Sequence, residues 1–282
     1  LTAEGNKKIP DRPTGLAQKT IKRKLSECSA FYAWCMDRGY VDATFANPFK
    51  DRKLKTKRDS KQRVDWKPHE VVQLCERADQ KYVGLREGTI KKKKAYNVKV
   101  AILLAAYTGM RINELVHLEK RDVIEEDGIR SLQIALDEDL QRVGKTEAAT
   151  RIYPIPEAIA PLIDKLLDET EDGYLISGET PNNKRENKAD PLGKRFGRLK
   201  TELGFQPKTQ VFHSFRHTIR TFLARNAVGL KMGMGSEVID YLVGHSSGSV
   251  GAKVYQHGWS MKDLERLVNT LSYEWPESLP LL

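Results

Sequence analysis

The stretch HSFRHT, residues 213–218, gathers His213, Arg216 and His217 into six positions and runs on into a helix-like pattern, IRTFLARNAV. Histidine takes up or gives away a proton near neutral pH. Arginine stays charged and forks onto anionic oxygens. Placed together at the start of a helix, these groups point to an oxyanion or a phosphate. Four further segments carry groups of the same kind. TGMRINEL (108–115) presents Arg111 at a turn, with Glu114 three residues on and close to it on one helix face. GKTEAATRIYPIP (144–156) places Lys145 near a hairpin tip and also holds Arg151, whose role as a cap on the sheet or a contact to DNA stays open. VGHSS (243–247) sets His245 behind a glycine, and AKVYQHG (252–258) carries Tyr255.

Periodicity supplies the elements that must bring these segments together. Residues 17–38 read as an amphipathic helix, with Ile21, Leu25, Cys28, Tyr32 and Cys35 on one face and Gly39 as its stop. NPFKDRKLKTKRDSKQRVDW (47–66) is polar, basic and without apolar period, and reads as a linker. A second domain opens at Trp66 with a helix from Pro68. IKKKK (90–94) is expected in a loop or at a helix start, 97–107 as a buried helix stopped by Gly109, and 110–123 as another helix. Strands are expected at 129–136 and 151–155, with a hairpin connection or third strand between them. A helix from Pro156 to about 169, a loop at 177–193, and helices near 192–203, 214–226, 236–243, 249–257 and 260–272 complete the pattern. The fold class is therefore mainly α with a small antiparallel β-sheet. The expected domains are 1–48, a basic linker 49–65, 66–272, and a tail 273–282. The tail, carrying Trp275, Leu279, Leu281 and Leu282, is expected to dock on a neighbouring protomer or on its own surface, or to be disordered.

The chain has 282 residues and a net charge of +10. Residues 1–65 hold 16 Lys+Arg against 8 Asp+Glu, a net +8, and the remaining 217 residues carry the other +2. Such a balance favours a polyanionic partner, nucleic acid first. No apolar run approaches a membrane span, and VKVAILLAAY (98–107) fits a buried helix better, so no membrane partner is expected. The three cysteines offer no zinc spacing and read as reduced core residues, which fits a cytoplasmic or nucleoid-associated protein. The chain opens on Leu1 rather than Met, as expected of one trimmed from a longer protein.

The order Arg, Lys, His-x-x-Arg, Gly-His, Tyr resembles the tyrosine recombinases, the phage integrase family. TGMR…EL, KT…R…P, HxFRHT, GHSS and VY are similar to that family's boxes, and five in this order is a far stronger signal than any one. The resemblance covers 66–260 as a catalytic domain and 1–48, ending in NPF, as part of a helical core-binding domain. It implies a site-specific DNA recombinase. A phosphodiester under attack builds charge on its two non-bridging oxygens, which two arginines can clamp bidentately; Arg111 and Arg216 take that role. A phenol, as at Tyr255, makes a phosphotyrosine link that keeps the bond energy for rejoining. The resemblance implies His213 as base, Lys145 as acid, His245 as a hydrogen-bond donor to the phosphate and Glu114 in a supporting role. Two departures stand out: Tyr255 lies ten residues after His245, one more than the family's commonest spacing, and VGLKMGMGS (228–236) lengthens the gap after Arg216. No cofactor or metal is expected, because cationic side chains supply the positive charge, and the i,i+4 pair His213 and His217 lacks the HExxH pattern. Expected partners are double-stranded DNA and further copies assembled as a tetramer on paired sites, with accessory DNA-bending proteins left open. A type IB topoisomerase or an inactive DNA-binding regulator are the alternative readings.

Overall fold

The computed structural model describes residues 16, 18–42, 44–52, 63–134, 151–179, 188–205, 209–244, 259–277 and 279. The chain divides into two compact units, Leu1–Ser60 and Lys61–Leu282. In the first, α1 (Gln18–Asp37) ends where Gly39 takes a positive φ of 73°. Asn47 donates to the Ser29 carbonyl at 2.9 Å, and Tyr32 meets Phe49 edge-on, which returns the following chain to the helix. The predicted apolar face is only half-covered: Ile21, Leu25, Tyr32 and Cys35 are intermediate in exposure, and Cys28 is exposed rather than in a core. Phe31, Trp34 and Tyr40 stack in sequence on the surface, with the Arg38 guanidinium over Trp34.

The second unit is mainly helical. Its centre is α3 (Ile90–Thr108), buried all round from Asn97 to Thr108. A helix apolar on every side belongs inside a core. It packs against α2 (Pro68–Val83), whose Val71, Leu74, Cys75 and Ala78 form one buried stripe. Cys75 is the one cysteine of the three that lies in the core, and burial pushes its thiol up. The other described helices of this unit are α4 (Ile112–Leu115), α5 (Ala160–Glu169), α6 (Ala189–Glu202), α7 (Ser214–Gly229), α8 (Ser236–Val243) and α9 (Met261–Val268). The strands β1 (Val123–Glu126), β2 (Ile129–Ile134) and β3 (Arg151–Pro154) form an antiparallel sheet in the order β1-β2-β3. Leu132 pairs with Tyr153 and Ile134 with Arg151.

Several elements depart from their predicted bounds. IKKKK takes the helix-start alternative as the first turn and a half of α3, because Thr89 caps the Lys92 amide and the Lys92 ammonium lies over the Tyr82 ring. The helix expected over 110–123 stops after four residues. Leu118, Glu119 and Lys120 instead bond to residues 173–175 and lead through a 3-10 turn, Lys120–Asp122, into β1. The helix expected from Pro156 begins with a 3-10 turn, Glu157–Ile159, before α5, and α6 starts three residues earlier than predicted, with Pro191 in its first turn. The helix predicted at 249–257 lies outside the described residues.

The C-terminal end of α3 is held with care. A helix leaves its last carbonyls without intrahelical donors. Here the Tyr273 hydroxyl donates to Ala106 O at 2.8 Å and the Tyr153 hydroxyl to Tyr107 O at 2.7 Å. Trp275 donates its indole N–H to the Tyr107 hydroxyl at 3.0 Å. The described tail residues Tyr273, Trp275 and Leu279 thus pack on their own unit. Trp66 does the same for α7. It is 1% exposed, its backbone N–H donates to Thr218 Oγ1 at 2.7 Å, and its indole N–H to Val211 O at 3.1 Å. Its ring sits against Phe196, Phe205 and Phe215. Trp66→Ala is expected to lower unfolding stability by about 3–5 kcal/mol in urea titration, because it empties an aromatic-lined space; a loss under about 1 kcal/mol would show that the strap over α7 contributes little.

Candidate functional site

Four elements of the second unit bring charged groups to one point. The first is the turn from α3 to α4. Gly109 ends α3 in the left-handed region at φ 63°, and a Cβ there would lie 3.2 Å from Ile219 Cβ and 3.4 Å from Arg216 Cα. A glycine is therefore required for α3 to end directly against α7. Arg111 follows as the N-cap of α4, and its backbone N–H donates to Glu114 Oε2 at 3.0 Å. The same carboxylate accepts from Arg111 Nη1 through Oε1 at 2.5 Å.

The second element is α7, which carries Arg216 in its first turn. The side chain is fully buried, and its Nη1 donates to Gly109 O at 3.4 Å and lies 3.9 Å from Glu114 Oε2. The third is α8, which ends at Gly244, φ 66°. The Gly244 carbonyl accepts from Arg111 Nη2 at 3.2 Å and also, in a short hydrogen bond, from Arg216 Nη2. One carbonyl oxygen thus fixes the spacing of two guanidiniums. A Cβ on Gly244 would come 2.6 Å from Arg151 Nη1 and 3.0 Å from Arg216 Nη2, so a larger residue, already strained at this φ, would push the guanidiniums out of place. The fourth is β3. Arg151, its first residue, donates from Nη2 to Glu114 Oε2 and from Nε to Leu242 O, both at 2.9 Å. The β3–α8 contact is closed by Ile152 N–H donating to the Tyr241 hydroxyl at 3.0 Å, and α7 meets α8 through Arg220 and Asp240 at 2.7 Å.

Three guanidiniums around one carboxylate leave a local charge of about +2 in a partly dry site. Burial alone would raise the Glu114 carboxyl, but Arg151, by charge and by hydrogen bond, then Arg216 and the Arg111 amide, hold it down at about 2. Burial and then Arg151 pull Arg216 down to about 9, with Glu114 opposing, so it stays a cation at neutral pH. Among the described residues the Arg216 Nε finds no acceptor. Arg111 is the open member of the set, with 41% of its side chain exposed, whereas Arg216 is covered.

The structure brings together Arg111, Glu114 and Arg216 from the expected set. His213 is the N-cap of α7, exposed, with its ring 5.3 Å from that of His217 and edge-on to it. Lys145, His245 and Tyr255 lie outside the described residues. Arg151, left open between capping the sheet and meeting DNA, is buried in the centre of this cluster. Its signal in the sequence was its place in the same box as Lys145; nothing in the box marks it as buried. Gly109 was read as a helix stop and Gly244 as the glycine before His245, but Gly109 also lets α3 end against α7, and Gly244 lies directly against the Arg151 and Arg216 guanidiniums.

The carboxylate has a consequence for stability. Its folded value lies near 2 against an ordinary 4.5, so its ionisation supports the fold by about 3 kcal/mol at pH above 4.5. That contribution is lost as pH falls from about 4.5 towards 2. The urea midpoint of the native chain is expected to drop through this window more steeply than that of Glu114→Gln, so that the two curves converge in acid; parallel curves would show that Glu114 is not held ionised by its partners.

Comparison with known proteins gives the cluster its context. The chain is 25% identical over 272 residues to a XerC-like tyrosine recombinase from Caldanaerobacter subterraneus subsp. tengcongensis, an alignment covering 86% of this chain and 63% of the relative. It is 32% identical over 116 residues to tyrosine recombinase XerC from Xanthomonas axonopodis pv. citri, covering 41% of this chain and 33% of that protein. The chain thus spans less than two thirds of these relatives. Its fold is similar to a lambda integrase tetramer bound to a Holliday junction (TM-score 0.54, 15% identity, 86% of this chain and 60% of that one). It is similar too to XerH site-specific recombinase on a palindromic difH substrate (TM-score 0.54, 18% identity, 90% and 65%). Residues 66–260 match the model of the phage integrase family, and on that span, most of its length, the chain belongs to the phage integrase family of tyrosine recombinases.

Proposed function

We propose that this chain is a site-specific DNA recombinase that cuts and rejoins duplex DNA through a 3′-phosphotyrosyl intermediate. The observation that carries the reading is the cationic cluster itself: Arg111 and Arg216, from separate helices, hydrogen-bonded to one carbonyl beside an ionised Glu114. Two forked cations at fixed spacing suit the two non-bridging oxygens of a phosphodiester. The net positive charge of the site, and of the chain, suits the same substrate.

In this reading Tyr255 attacks the phosphorus and the bond to the 5′-oxygen breaks. His213 takes the phenolic proton, Lys145 gives a proton to the departing 5′-oxygen, and His245 donates a hydrogen bond to the phosphate. Glu114 keeps the arginines in place and does not react. Attack by a 5′-hydroxyl from another strand reverses each transfer and releases Tyr255. Because Arg216 is covered, a phosphate that reaches both arginines must first uncover it, so cleavage competence follows DNA binding. Residues 66–272 would form the catalytic domain. Residues 1–48, with exposed Lys22, Arg23 and Lys24 on α1, would form part of a core-binding domain joined by a basic linker, 49–65, and the division of the chain after Ser60 supports two bodies on the duplex. Strand exchange needs further copies, a tetramer on paired sites; the lambda integrase of similar fold is a tetramer on a Holliday junction. Among the described residues no helix is long and apolar enough to cross a membrane, and DNA as substrate would place the protein in the cytoplasm with the nucleoid.

On a nicked suicide duplex the native chain is expected to form a protein–DNA adduct stable to denaturant, and Tyr255→Phe none. With two sites present, products joined between sites are expected. Relaxation of supercoils without joined products would indicate a topoisomerase, and duplex binding without any adduct would indicate a regulator.

A further inference from the structure

Arg151 takes no part in the steps above, yet with Arg216 it is one of the two fully covered cations of the cluster. Its side chain is fully buried. A buried charge is tolerated when it is paired and hydrogen-bonded, and it then fixes the groups that pair with it. Arg151 bonds to the Glu114 carboxylate on α4 and to the Leu242 carbonyl on α8, and the Gly244 backbone lies against its guanidinium. Those two bonds join the Arg111 end of the clamp to the end of α8, whose Gly244 carbonyl spaces Arg111 from Arg216. The position in the chain adds to this. β3 begins at Arg151, a few residues after Lys145, and α8 ends at the residue before Gly244 and His245.

We propose that Arg151 is a positioning residue for strand cleavage: its buried guanidinium, bridging Glu114 and Leu242 O, locks the Arg111–Glu114 turn and the Gly244 carbonyl into the one spacing that fits a phosphodiester. The catalytic consequence rests on the recombinase reading, whereas the geometric one does not. The groups facing Glu114 are Arg111 beside it on α4, Arg216 from α7 and Arg151 from β3, with Asp240 and Tyr241 of α8 facing Arg216 and Arg151 in turn. Of these Arg151 acts most strongly on the carboxylate, so removing its charge leaves burial less opposed and the carboxyl rises; removing its fork while keeping its charge leaves the carboxyl ionised but the spacing loose.

The test uses the whole chain with Arg151→Gln and Arg151→Lys, and Glu114→Gln to assign the signal. The carboxyl carbon of Glu114, read by NMR on glutamate-labelled protein, is expected to stay constant between about pH 4 and 8 in the native chain and in Arg151→Lys, and to titrate in Arg151→Gln. In the same pH range Arg151→Gln is expected to acquire a cleavage rate that falls in acid. Arg151→Lys is expected to bind duplex with near-native affinity and to form the adduct about a hundredfold more slowly, the scale of a small misplacement of catalytic groups. A Glu114 signal that never titrates in Arg151→Gln would overturn the proposal, as would Arg151→Lys cutting within about threefold of native, well short of a tenfold barrier change. If Arg151→Gln does not fold, Arg151→Lys decides. An absent adduct in the native chain would sink the recombinase reading alone, since the titration still reports on Arg151.

Discussion

The carboxylate of Glu114 is the interaction on which the rest depends. Arg111 and Arg151 pair with it directly, and Arg216 faces it at 3.9 Å. Three guanidiniums brought this close would repel one another strongly in a site poor in water. One buried anion and the carbonyls of Gly109, Leu242 and Gly244 make the gathering possible. Because each arginine comes from a different element, the carboxylate is also where α4, α7 and β3 are joined by charge, and α8 closes the set through its backbone. Removing one partner of such a pair leaves an uncompensated charge and typically costs several kcal/mol. The site and the fold are therefore stabilised by the same contacts.

The scaffold around this point is arranged to keep it still. The last turn of α3, which delivers Gly109 and Arg111, has its Ala106 and Tyr107 carbonyls taken by the Tyr273 and Tyr153 hydroxyls. The first turn of α7, which delivers Arg216, is strapped by Trp66 through Thr218 and a cluster of aromatic rings. Gly109 lets the end of α3 lie against Ile219 and the Arg216 backbone of α7, and Gly244 lets the end of α8 lie against the Arg151 and Arg216 guanidiniums. Charge state is equally settled: Glu114 is ionised and Arg216 protonated across the range in which DNA chemistry runs. What such a centre offers an incoming phosphate is charge gathered before the ligand arrives, with Arg111 already open and Arg216 still to be uncovered.

Much of this was legible in the sequence and some was not, for physical reasons. Arg111 and Arg216 stood out because their segments fall in an ordered set of five, and α8 fell at its predicted residues because SEVIDYLV is apolar at helical spacing and Gly244 stops it. The first turn of α3 stayed open between loop and helix start because IKKKK lacks an apolar stripe; the Thr89 cap and the Lys92 ammonium over Tyr82 hold it as helix. The helix over 110–123 was overcalled because its period continues past Leu115, whereas tertiary bonding to residues 173–175 captures the backbone. β1 was missed for the same reason, since VIEE acquires its pairing only from β2. Arg151 was undecidable because a lone arginine beside a strand is usually at the surface; only the fold reveals that it points inward to Glu114. Cys28 was misplaced because its helical face is only half-covered.

The most direct measurement is a crystal structure of this chain on a nicked duplex carrying one intact scissile phosphate. The account predicts that one non-bridging oxygen accepts from Arg111 and the other from an uncovered Arg216, with Glu114 still paired to Arg151. A phosphate bound away from either guanidinium, or Glu114 displaced from Arg151 while the phosphate is held, would contradict it.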